Sequence, residues 1–83
     1  MKLEKIIFDS TTNYTNVVTL LNARLSELVQ ELSSCGCTQT PTNVAVNEAV
    51  KYLYVAEIDR INGDTVRYQG AVRAAYNELY KID

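Results

Sequence analysis

An all-α fold, a small three-helix bundle with a short N-terminal helix or an extended arm, is what this sequence predicts, and three observations carry the prediction. Apolar residues recur in alternating steps of four and three from Tyr14 to Cys35 and again from Tyr68 to Ile82, the spacing that lines up one face of a helix. Between the two runs lies a stretch that is apolar around much of a helix circumference. Residues that start and stop helices stand at the joints. The 83 residues read as a single helical domain, 1–83, of a size whose one core leaves little net stability to spare.

The first element, residues 1–12, is open to two readings. Leu3, Ile6 and Ile7 suit a helical turn, while "KIIF" also suits an extended arm. The first long helix is expected over 13–35, because Tyr14, Val18, Leu21, Leu25, Leu28, Leu32 and Cys35 form an unbroken seam, opposed by Thr15, Asn16, Thr19, Asn22, Ser26 and Gln30. The run Asp9–Asn13 supplies N-cap side chains in front of it. Gly36 stands where a helix leaves through a left-handed residue. Thr40 and Pro41 then give an N-cap followed by proline at the first helical position, where its missing N–H costs nothing.

The second helix is expected over 41–61. Its apolar arc takes in Val46, Ala49, Val50, Leu53, Tyr54, Ala56 and Ile61, with Glu48, Lys51 and Asp59 marking the wet side. An arc so broad implies more than one neighbour. Asn62-Gly63 between segments of helical period is a helix stop rather than a β-turn, and Asp64 opens the third helix, 64–82, through Tyr68, Val72, Ala75, Leu79 and Ile82. So short a connection makes the last two helices an antiparallel hairpin.

Composition removes several function classes. Eight Lys and Arg against ten Asp and Glu, −2 overall, is too balanced for a phosphate-binding surface, so nucleic acid is disfavoured as a partner. No stretch reaches the 18 or so apolar residues of a membrane span, and the N-terminus lacks the apolar core of a signal peptide. A cytoplasmic protein, or one incorporated in a virion, is expected. The chain has no histidine, the commonest general base and metal ligand, and no glycine-rich phosphate loop. We therefore expect no enzyme, no cofactor and no metal.

Cys35-Gly36-Cys37 is the segment that most resembles a chemical site. A structural zinc centre takes four Cys or His ligands, and one subunit offers two cysteines. A disulfide across a single residue would be strained. The plainer reading is punctuation: Cys35 completes the seam, Gly36 ends the helix, and an inter-subunit link is the chemistry left over.

Glu57 and Arg60 are the sharper candidates. On a 100° helical wheel both fall inside the apolar arc of the second helix, where a charge is costly unless paired. They are three residues apart, within reach of each other, and across the hairpin Arg67 or the Tyr68 hydroxyl should join them. With Arg73 they form the set expected to bind a ligand or partner, or to fix helix register as a buried clasp. Six tyrosines suit half-buried surfaces at subunit interfaces.

The function expected is a non-enzymatic helical interaction or structural module, a homo-oligomer or subunit of a larger assembly such as a phage or virion-associated protein. Two alternatives stand beside it. One is a protein sequestering a small anionic ligand or nucleotide in an inter-subunit pocket of arginines and tyrosines. The other is a small inhibitor that binds a protein partner through a helix face.

Overall fold

The computed structural model describes residues 2–35 and 41–83. Among these lie three helices and no strand: α1 (Tyr14–Cys35), α2 (Pro41–Ile61) and α3 (Thr65–Ile82). The readings that rest on Gly36, Cys37 and Thr40, and on the side chain of Cys35, lie outside the described residues.

Local chemistry sets the helix ends. Asp9 ties the entry turn by accepting from the Thr11 amide at 2.8 Å and the Thr11 hydroxyl at 2.6 Å; these bonds, that from the Thr11 side chain first, hold its carboxyl below the usual range. Asn13 then caps α1, its side-chain oxygen accepting from the Asn16 amide at 3.2 Å. Gly63 adopts a φ of +76°, the left-handed conformation that ends α2 at little cost without a Cβ. Asp64 caps α3 by accepting from the Arg67 amide at 3.2 Å, so α3 begins one residue later than the sequence suggested.

Helix directions follow from cross-contacts. The rings of Tyr14 and Tyr68 are 6.5 Å apart, and Arg24 reaches Asp83, so α1 and α3 run the same way. The three-residue connection reverses α2 against α3, which leaves α2 antiparallel to both. On α1 the seam buries Leu21, Leu25 and Leu28; on α3, Val72, Ala75 and Leu79 are buried together with Tyr76.

The buried side of α2 differs from expectation. Its inward stripe is Ala45, Ala49, Tyr52, Ala56 and Asp59, with Val46 and Leu53 turned toward the core beside it. Of the arc expected there Val46, Ala49, Leu53 and Ala56 do face the core, but its centre is displaced by about one position around the helix, which leaves Val50, Tyr54 and Ile61 exposed. The cause is α3, which presents Ala71 and Ala75 to the core. Small residues on both helices permit close approach of the two backbones, and α2 and α3 are the most closely packed pair. Asp59, placed on the wet side by the pattern, is only 7 % exposed.

Residues 2–8 form no helix; they are an extended arm. Leu3 is buried, Ile6 and Phe8 pack against the core, and Ile7 between them is exposed, the alternation of an extended chain. The Tyr76 hydroxyl holds the arm, donating to the Glu4 carbonyl at 2.6 Å and accepting from the Ile6 amide at 2.9 Å. Engaged this way, the Ile6 amide is not available to a helical turn. Burial, which disfavours the charged phenolate, pushes the Tyr76 ionisation up. Phe8 meets the Tyr76 ring edge-on, with centroids 5.3 Å apart. Tyr76→Phe should remove both hydrogen bonds, cost about 1–2 kcal/mol, and abolish hydrogen-exchange protection of the Ile6 amide; retained protection there would show that apolar contacts alone hold the arm.

Candidate functional site

Glu57 and Arg60 come together as their spacing requires, but on the surface. Arg60 donates from Nη2 to Glu57 Oε1 at 2.5 Å and from Nε to Oε2 at 3.1 Å, while both side chains are more than half exposed. The burial expected for them is thus corrected: the one-position rotation of α2 turns this pair out to water and brings Ala56 and Asp59 in. The Arg60 hydrogen bonds, more than its charge, hold the Glu57 carboxyl low, and the same bonds raise the Arg60 guanidinium. Tyr68 lies near enough to act electrostatically on Arg60.

The other arginines turn elsewhere. Arg67 is exposed, and its contribution is a backbone amide in the α3 cap. Arg73 stands over the Phe8 ring at 5.4 Å, a cation–π contact that braces the arm. Arg60, Arg67 and Arg73 therefore have three different surroundings, and the groove that includes Glu57 is lined by none of them.

A buried ion pair does exist, between residues outside the expected set. Arg24 donates from Nη2 and Nε to Asp83 Oδ1 at 2.7 and 3.3 Å, and the Leu3 amide donates to Asp83 Oδ2 at 3.0 Å. The Asp83 side chain is 2 % exposed and that of Arg24 is 11 %. Burial by itself would raise the Asp83 carboxyl, but the hydrogen bonds from Arg24 and Leu3, with the charges of Arg24 and Lys2, outweigh it and hold the carboxyl below its ordinary value. The bond to Asp83 likewise raises Arg24. One contact thereby joins α1, the end of α3 and the arm. The signal was legible: Val17, Leu21, Arg24 and Leu28 share one face of α1, so the wheel argument applied to α2 would have exposed an inward charge here.

What remains as a site is an uncovered apolar face. On the outer side of α2, Val50, Tyr54, Ile58 and Ile61 stand exposed at helical spacing. Beside them an open groove of about 320 Å³ runs between α1 and α2, lined chiefly by Val18, Leu25, Val50, Leu53 and Tyr54, with Asn22 and Glu57 at its edge. Leu25 continues into Val29 one turn along α1, and that residue too is exposed. The second helix is apolar on two sides because only one of them meets the bundle. Among the described residues no cluster of His, Cys, Asp and Glu could hold a metal ion, and no helix is long and apolar enough to cross a membrane. No protein-family model, curated protein or solved structure matches this chain.

Proposed function

We propose that this protein is a non-enzymatic helical interaction module, built to associate as a homo-oligomer or as a subunit of a larger assembly, in the cytoplasm or in a virion. The observation that carries the reading is the outward stripe of α2, four large apolar side chains at Val50, Tyr54, Ile58 and Ile61. Contiguous apolar surface of this kind on a small folded chain marks an interaction site. Tyrosine at its centre and charges at its edge follow the make-up of association surfaces. The anion-binding alternative is weaker, because Glu57 already satisfies Arg60 and Arg73 is engaged with Phe8.

Native mass spectrometry of freshly purified protein tests the reading. A multimer, or a complex with a second protein, free of small-molecule adducts is the expected result. A multimer that retains a small anion would favour the inter-subunit arginine pocket instead. A clean monomer would sink the assembly reading.

A further inference from the structure

Asn62-Gly63, the pair that ends α2, is also a reactive one. The main-chain nitrogen of a residue that follows asparagine can close on the asparagine side chain, and a glycine leaves that approach unhindered because it has no Cβ. The turn adds little to obstruct it. Asn62 and Gly63 are both exposed, and a Cβ built on Gly63 would meet no atom within 4 Å. Among the described residues the Asn62 side chain makes no hydrogen bond that would hold it away. The Gly63 amide donates to the Arg60 carbonyl at 3.2 Å, the long end of the range for such bonds. It is therefore a weakly held N–H in open water.

No other asparagine combines these features. The Asn13 side chain is occupied as the cap of α1. Asn16, Asn22, Asn43, Asn47 and Asn77 lie inside helices, and each is followed by a residue whose Cβ crowds the attack.

We propose that Asn62 is a self-modifying site, converted by the Gly63 nitrogen to isoaspartate and aspartate, and that the product loosens the turn between α2 and α3. The Gly63 amide gives its proton to hydroxide, and its nitrogen bonds to Asn62 Cγ. The Cγ–Nδ2 bond breaks as this bond forms, and the leaving nitrogen takes a proton from water and departs as ammonia. One water then opens the cyclic imide. Opening at Cγ leaves aspartate; opening at the main-chain carbonyl leaves isoaspartate, with the main chain lengthened by a methylene.

Either product sets a new carboxylate just past the last residue of α2, at the negative end of its helix dipole. Asp59 stands three residues before it and Asp64 two after, while Arg60, the nearest cation in sequence, is already held by Glu57. Isoaspartate also breaks the spacing by which the Gly63 and Asp64 amides reach the Arg60 and Asp59 carbonyls. Those two bonds make the stop of α2.

Ageing of the folded full chain tests this. The protein is held for days in warm, mildly alkaline buffer, then digested with trypsin. The peptide from Ile61 to Arg67, which holds a single asparagine, should gain the mass difference of hydroxyl over amino. Fragmentation and an isoaspartate methyl-acceptance assay should place isoaspartate at position 62. The rate should rise in proportion to hydroxide concentration. Asn62→Gln, a change at an exposed and unpartnered side chain, should keep the helical circular dichroism and lose the product. The aged fraction, separated by its extra negative charge, should melt below fresh protein. An unchanged peptide in folded protein, under conditions that convert the same peptide once excised, would overturn the proposal, since the turn would then protect the pair. Conversion of the helical asparagines at the same rate would overturn the assignment to Asn62. Equal melting of aged and fresh fractions would overturn the loosening of the turn.

Discussion

Arg24→Met is expected to lower the unfolding free energy by about 3 kcal/mol at neutral pH, the range found when one partner of a buried ion pair is removed. For a domain this small that is a large part of its margin. The loss exceeds the value of the pair itself, because Asp83 keeps only the Leu3 amide as a described partner while its side chain remains 2 % exposed. The pH profile separates this cause from a packing defect. In the parent chain the Asp83 carboxyl is held below its ordinary value, so the folded state favours the charged form. Its contribution is complete above the unfolded value of about 3.9 and is lost as the pH falls through the lower folded one. In Arg24→Met the hydrogen bonds and charge of Arg24 are gone, only the Leu3 amide and the Lys2 charge are left to oppose burial, and the same carboxyl moves upward. The variant should therefore recover stability relative to the parent as the pH is lowered from about 7 to about 4. Urea midpoints at several pH values read this directly. The double variant Arg24→Met, Asp83→Leu should regain most of the loss at neutral pH, since no charge is left buried. Equal midpoints for Arg24→Met and the parent, or parallel pH profiles, would remove the clasp.

The second large effect concerns volume. Ala49 is fully buried on the stripe of α2 that packs against α3, and Ala75 is fully buried on α3. Ala49→Leu adds three carbons where the two backbones already approach closely. Overpacking of this kind costs about 1–3 kcal/mol, and at a position with no exposed surface the upper end is expected. In a domain of this size about 2–3 kcal/mol lowers the melting temperature by roughly 10–20 °C. Val50→Leu, one residue on, enlarges a half-exposed side chain and should change the midpoint little. A melting temperature for Ala49→Leu within a degree or two of the parent would show that α2 and α3 have room between them. The pair of variants also tests the rotation of α2, since a stripe centred on Val50 would reverse the order.

How much was legible depended on how far each feature is local. The seams of α1 and α3 could be read because most of their large residues lie on one side, so that face is the one to be buried. The stop at Gly63 and the cap at Asp64 were readable for a similar reason: each is decided within a few residues by backbone sterics and one hydrogen bond. On α2 the same reasoning misplaced the inward face. Large apolar residues there surround the helix, and size is a misleading guide when the neighbour is lined with alanine. Ala45, Ala49 and Ala56 are buried in the bundle while Val50 and Tyr54 are left exposed, a choice no single-helix pattern contains.

The arm shows the same division. "KIIF" carries no periodic preference of its own, and what makes residues 2–8 extended is the Tyr76 hydroxyl some seventy residues away. The Arg24–Asp83 pair likewise spans 59 positions. By itself the sequence determined the all-α class, the α2–α3 hairpin and the stops that separate its helices, because those follow from short-range periodicity and chain geometry. Only the tertiary structure decided which side of α2 faces inward, which charges are buried, and which apolar face is left uncovered, because each depends on the shape of the surface that arrives opposite.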